Sequence, residues 1–96
     1  MFTWDANKAI LNFETHGIPF EEAAAIFGDP DGLDWEDVGH SQREARRKRL
    51  GRSGNGRVLL VVYTIRRSRH GKEAIRIINA RQASRKERKA YAGRPD

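Results

Sequence analysis

The sequence predicts an α+β domain in which a small antiparallel β-sheet carries two N-terminal helices and one short C-terminal helix. Three observations lead there. Apolar residues recur at helical spacing through residues 6–27, the period changes to alternation from Leu33 onward, and Ser84 and Glu87 have the S-x-x-E spacing of a capped helix start. Ninety-six residues fit one domain, placed at residues 1–92 with a loose tail at 93–96.

The elements follow in order. Phe2 to Trp4 reads as a strand end, and Asp5 as the N-cap of a helix running to His16, where Gly17 stops it. Ala6, Ile10 and Phe13 give that helix a narrow apolar stripe to lay on a sheet. Pro19 is pre-set for the first turn of a second helix, which places Glu21 and Glu22 at its dipole-positive end and Phe20, Ala23, Ala24 and Phe27 on one face. Gly28 ends it and Asp29-Pro30 turns the chain. Leu33 and Trp35 then alternate with Asp34 and Glu36 as a short strand. Arg43 to Arg52 reads as a basic strand, with a basic helix as the rival. Ser53-Gly54-Asn55-Gly56 is a hairpin signal that also accounts for Gly51, and Arg57 to Arg66 is a strand apolar on both faces and therefore central. After a polar turn at 67–72, Ala74 to Ala80 is the last strand, with Ile75, Ile77 and Asn79 on one face and Arg76 and Ile78 on the other. The C-terminal helix runs from about Ser84 to Tyr91.

Charge is distributed unevenly along this order. Of nineteen Lys and Arg residues only Lys8 precedes residue 41, whereas nine of thirteen Asp and Glu do, leaving segments of net −8 and +14. A folded chain so arranged concentrates positive potential on one surface, which suits a polyanion such as nucleic acid. The absence of cysteine excludes disulfides, thiol nucleophiles and cysteine-based zinc sites, and suits a reducing, cytoplasmic setting. The longest apolar run, Val58 to Val62, is about a quarter of the roughly 20 residues a membrane helix needs. His16, His40 and His70 show no ligand spacing, and neither a metal nor another cofactor is expected.

The chemistry therefore falls to the basic half. Cleavage of RNA needs a group to take the 2′-hydroxyl proton, cations for the charge developing on phosphorus, and an acid for the departing 5′-oxygen. Arg66, Arg76 and Arg81, at strand positions, are candidates for the cations, because a planar guanidinium matches phosphate oxygens bidentately. Ordinary salt bridging is the competing explanation for each. Residues 43–52, with Arg46 and Lys48, form a basic stretch able to bind phosphate by charge. His40 is a candidate proton donor or acceptor, whereas His16 caps a helix end and His70 sits in a polar turn. Tyr91 either donates a proton or packs its ring on the sheet, and Glu87 either takes part in chemistry or completes the capping box. Trp4 and Trp35 read as core anchors, since each lies among acidic residues where RNA is repelled.

The order and spacing of a larger set of residues resembles the BrnT family of toxins from bacterial type II toxin–antitoxin systems. That set comprises Phe2-Thr3-Trp4-Asp5 with Lys8 and Asn12, His16-Gly17-Ile18, Phe20 to Ala23, Phe27, Asp29-Pro30, and His40-Ser41. It continues with Glu44, Arg46, Gly51-Arg52-Ser53, Gly56-Arg57, Val62-Tyr63-Thr64, Arg66, Arg76 to Ala83, Glu87-Arg88 and Tyr91. The resemblance implies a RelE-like fold with helices on one side of the sheet, and a metal-independent endoribonuclease that halts translation. It also implies a BrnA-type antitoxin that forms a hetero-oligomer with the toxin and binds DNA on its behalf. Carried over residue by residue, it makes Arg66, Arg76 and Arg81 the phosphate cations, with Lys8, His40, Glu87 and Tyr91 as further candidates, and leaves Arg57 to substrate or antitoxin. The sequence departs from the family pattern at Asn79, where serine is frequent, and in the longer turn at 67–72. Two other classes also explain the charge: a non-catalytic RNA- or ribosome-binding module, and an interaction protein with an acidic partner.

Overall fold

The computed structural model describes residues 1–40 and 44–93, the side chain of His40 excepted. Five strands, β1 (Phe2–Thr3), β2 (Leu33–Glu36), β3 (Arg47–Arg52), β4 (Val58–Arg67) and β5 (Glu73–Gln82), form one sheet in the order β1-β5-β4-β3-β2. Helices α1 (Ala6–His16), α2 (Phe20–Ala25) and α3 (Arg85–Ala92) complete the fold, with short 3-10 turns at Ile26–Gly28 and Val38–His40. β4 is central, as its two apolar faces require. The sheet is mixed and not wholly antiparallel, because β1 pairs with β5 in parallel while the other pairings are antiparallel.

Local chemistry sets the element ends. Asp5 accepts hydrogen bonds from the amides of Asn7 and Lys8 and so starts α1, and Gly17 ends it at φ 70°, a left-handed conformation that glycine adopts without a Cβ penalty. Pro19 is the N-cap of α2 and not its first residue, and α2 tightens into a 3-10 turn after Ala25. Ser84 and Glu87 exchange both bonds of a capping box at the start of α3. β3 begins at Arg47, later than the expected Arg43, which itself lies outside the described residues, as do residues 94–96 of the expected tail.

The helices occupy both faces of the sheet. Alternation along β4 sends Leu59, Val61 and Tyr63 to one face and Leu60, Val62 and Thr64 to the other. On the first face, Leu59, Val61, Ile77 and Ala80 pack with Ile18 and with Phe20, Ala23 and Ile26, which α2 and its 3-10 turn supply. On the second face, Leu50, Leu60 and Ala83 pack with Leu33, Val58 and the Tyr91 ring of α3. The expectation of helices on one side is therefore corrected. Leu50 and Leu60 give the second face an apolar cluster of its own, and α3 packs over it at one end of the sheet.

α1 departs from its expected placement. Ile10, Leu11 and Phe13 are 57%, 61% and 55% exposed, so Ala6, Ile10 and Phe13 do not lie on the sheet, and the inward residues are Ala9 and Asn12. The reason is that α1 runs along the open edge of β5 where β1 stops. The Asn12 amide donates to the carbonyl oxygens of Ala80 (2.8 Å) and Ile18 (3.1 Å) and accepts from the Ala80 amide (3.1 Å). It thus stands in for a neighbouring strand and satisfies backbone groups that are costly to bury unpaired.

Gly51 also has a different role from the hairpin one. A Cβ there would lie 2.9 Å from both Cβ and the carbonyl oxygen of Ile26, so a bare backbone lets the turn after α2 rest on β3. No helix among the described residues is long and apolar enough to cross a membrane.

Candidate functional site

The candidate site lies on the face that α3 covers only at one end. Cross-strand register puts Leu33, Leu50, Leu60 and Arg81 in one row, and Trp35, Lys48, Val62 and Asn79 in the next. Thr64 with Arg76, then Arg66 with Ala74, continue the series along β4. Rows on one face are two residues, about 7 Å, apart, so Arg81 and Arg66 are separated by about 20 Å along β4. α3 packs over the first row, and the others lie beyond it.

A one-residue β-bulge determines which side chains share this face. Val62 pairs with Asn79 and Tyr63 with Ile77, leaving Ile78 as the extra residue on β5. Without it, strict alternation would put Arg76 and Arg81 on opposite faces. With it, Arg76, Asn79 and Arg81 all register with the Leu60, Val62 and Thr64 face, while Ile77 and Ala80 both enter the core. The expected grouping of Ile75, Ile77 and Asn79 is corrected accordingly.

Lys8, Asp37, Arg46, Lys48, Val62, Ile78 and Asn79 line a shallow depression of about 450 Å³ on this face. Lys8 comes from α1, Arg46 immediately precedes β3, Lys48 lies in β3, and Asn79 is next to the bulge. Lys8, Ile78 and Asn79 also border a smaller depression of about 270 Å³ with Leu11, Asn12, Thr15 and His16. Arg66 lines a third, of about 610 Å³, near the hairpin of β4 and β5, and is ion-paired to Glu44 at 3.3 Å.

Arg81 and Glu87 form a bidentate pair at 2.7 and 2.9 Å. The Arg81 hydrogen bonds, outweighing burial and aided by the Ser84 amide, hold the Glu87 carboxyl down to about 2. Glu87 in turn raises the Arg81 guanidinium. Glu87 is thus an ionised partner that fixes Arg81 and the start of α3, and a very weak base.

Tyr91 faces elsewhere. Its hydroxyl donates to the Asp29 carboxylate, and Arg52 lies over its ring at 5.6 Å. Burial, then the bond to Asp29, pushes its hydroxyl up. Burial raises Asp29, but Tyr91 and the Arg52 and Asp31 amides outweigh it and hold Asp29 low.

Arg57 belongs to the opposite face. It forms an ion pair with Glu22 of α2, which also accepts from the Ser53 hydroxyl at 2.7 Å. The hydrogen bond from Arg57 is the main cause that lowers Glu22. Two further arginines of β3 are engaged on that face. Arg49 pairs with Asp34, donates to the carbonyls of Ile26 and Asp29, and lies over Phe27 at 5.6 Å, while Arg47 donates to the Tyr63 hydroxyl. The basic strand therefore divides by alternation, with structural arginines on one side and Lys48 on the other. His40 closes a 3-10 turn, and its side chain lies outside the described residues.

A family model described as "Ribonuclease toxin, BrnT, of type II toxin-antitoxin system" matches residues 4–87. The chain belongs to the BrnT family. The crystal structure of the Brucella abortus ribonuclease toxin BrnT superimposes with a TM-score of 0.64, covering 88% of this chain and 99% of that one at 20% identity. That likeness carries the fold. The comparison with curated proteins returned no match.

Membership of a ribonuclease toxin family brings an RNA substrate and an antitoxin partner with it. In this BrnT-family chain the fold brings Lys8, Arg46 and Lys48 to one depression, with Arg76 and Arg81 in the flanking rows. It sets Arg57 on the far face and Tyr91 beneath Arg52. Two residues of the face escaped the sequence reading. Asn79 reads from the sequence as a departure from serine that shares a face with Ile75 and Ile77, and a one-residue bulge leaves no signal in an apolar run. Trp35 was assigned to the core, yet it is 38% exposed and registers with Lys48.

Proposed function

We propose that this chain is a metal-independent endoribonuclease that cleaves RNA through the 2′-hydroxyl, inhibits translation and is neutralised by a BrnA-type antitoxin in the cytoplasm. The attacking 2′-oxygen forms a bond to phosphorus as its proton leaves, the bond from phosphorus to the 5′-oxygen breaks, and that oxygen takes up a proton. The products carry a cyclic phosphate and a 5′-hydroxyl. Lys8, Arg46 and Lys48 hold flanking phosphates. Arg76 offsets the charge developing on the reacting phosphate, with Arg66 one row further along β4 and Arg81 two rows the other way as cations for the neighbouring RNA chain. Glu87 positions Arg81, and His40 is the candidate for proton transfer.

The single observation behind this reading is the bulge at Ile78, which aligns Arg76, Asn79 and Arg81 on the face that also carries Lys48. The antitoxin supplies the DNA contact of the pair and forms a hetero-oligomer with the toxin.

Purified protein incubated with a defined RNA in EDTA, beside Arg76→Ala and Arg81→Ala, tests the reaction. Fragments with cyclic or 3′-phosphate ends, lost in Arg76→Ala at unchanged thermal stability, are expected. RNA that is bound but left intact would replace the nuclease with a non-catalytic binding module.

A further inference from the structure

Trp35 is a partly exposed aromatic residue next to Lys48. It lies on β2, the edge strand of the sheet, and its face is the one that carries the cations. Leu33, two residues earlier on that face, is drawn into the cluster beneath α3, whereas Trp35 joins neither core cluster and remains 38% exposed. The two acidic residues adjacent to it in sequence are turned away from it, while Asp37 lines the depression together with Lys8, Arg46 and Lys48. Asp34 and Glu36 register with Arg49 and Arg47 on the opposite face, and Asp34 is bound there by Arg49 and by the Tyr63 hydroxyl. Directly across from Trp35 is Lys48, and beyond it in the same row are Val62 and Asn79. A partly exposed indole on the strand next to Lys48, which itself lines a depression with Lys8 and Arg46, has the composition of a single-strand RNA platform, in which cations track the backbone and an aromatic face takes a base.

We infer that Trp35 stacks on one base of a single-stranded RNA whose adjacent phosphate is held by Lys48. The inference rests on the ribonuclease reading of the same face and adds a base contact to its phosphate contacts. Stacking is uncharged, so it changes affinity without changing salt dependence, whereas each phosphate contact contributes about 0.7 to the logarithmic salt slope for a single strand. The two kinds of contact are therefore separable.

The test uses the full chain with a single-stranded RNA carrying 2′-O-methyl groups, which blocks cleavage, and a matched strand with abasic residues. Trp35→Ala is expected to weaken binding of the base-containing strand by about 5- to 100-fold with an unchanged salt slope. Binding of the abasic strand is expected to be unaffected. Lys48→Ala is expected to flatten the slope by about 0.7. Indole fluorescence of the wild type is quenched by the base-containing strand, and Trp35→Phe abolishes that change while binding persists. Trp35→Leu keeps the apolar bulk and serves where Trp35→Ala does not fold. Salt-dependent RNA binding with no quenching and no effect of Trp35→Leu would overturn the stacking proposal and leave the nuclease reading intact. Failure of the wild type to bind RNA at any salt concentration would overturn both.

Discussion

Replacing Asn12 with leucine tests the way α1 closes the sheet. Leucine keeps the approximate shape and removes an amide that makes three hydrogen bonds, two to Ala80 and one to Ile18. Asn12 is 6% exposed, so the backbone groups left behind have little access to water. An unsatisfied buried group costs about 1–3 kcal/mol, and at the low end of that range three groups cost about 3 kcal/mol. That is a large share of the roughly 5–15 kcal/mol that stabilises a domain of this size. At about 4–8 °C per kcal/mol, the melting temperature falls by about 12–24 °C. Urea denaturation at constant slope reads the free energy, and hydrogen exchange at the Ala80 amide reads the local opening. Because α1 also carries Lys8 into the depression, weaker RNA binding accompanies the loss. A decrease below about 1 kcal/mol, with Ala80 still protected from exchange, would refute the view that this amide stands in for a sheet neighbour.

Three further outcomes are expected. Glu87 titrates near 2 in the folded chain against an ordinary 4.5, so its charge stabilises the fold above about pH 4.5, and that contribution is lost as pH falls toward 2. The urea midpoints of wild type and Glu87→Gln are therefore separated at pH 7 and converge by about pH 2, and a gap independent of pH would remove the ion pair as its cause. Lys8→Ala and Lys48→Ala each flatten the salt dependence of RNA binding by about 0.7, measured by titration across salt concentrations, and an unchanged slope would remove that lysine from the phosphate contacts. Arg57→Ala leaves Glu22 without its guanidinium partner and lowers the melting temperature, yet cleavage of RNA at a permissive temperature remains near wild type. Loss of cleavage in a folded Arg57→Ala protein would place that residue in the site.

Much of the architecture is legible in the sequence because it rests on local chemistry. Asp5, Gly17 and the Ser84–Glu87 capping box act over a few residues, and the uninterrupted apolar run of β4 marks a central strand. The parts that were misread depend on tertiary context. The apolar residues of α1 follow helical spacing, but a buried asparagine, polar and so absent from any hydrophobic stripe, decides how that helix docks. The 3-10 turn after α2 shifts the phase, so Ile26 becomes fully buried although the helical pattern runs through Phe27. The bulge at Ile78 inverts the expected faces of Asn79 and Arg81 with no glycine or proline to mark it. Trp35 was assigned to the core from its sequence neighbours, whose side chains alternation turns away from it.

The opposite charges of the two halves of the chain resolve in space into opposite characters of the two sheet faces. Acidic residues of the first half are consumed on one face, where Glu22 holds Arg57 and Asp34 holds Arg49. Asp29 accepts from the Arg52 amide and from Tyr91 beside them. These contacts join the N-terminal half to Arg57 just before β4, to β3 and to α3, so much of the acidic segment works as internal counter-charge, while Asp37 lines the depression beside Lys8, Arg46 and Lys48. In the proposed reading, Lys48, Arg76 and Lys8 are the cations that meet the RNA, and the same pairing that stabilises the fold leaves them on the other face. Removing a structural acid such as Glu22 would free Arg57 on the far face without strengthening the site. In that reading the location of the cations counts for more than their number.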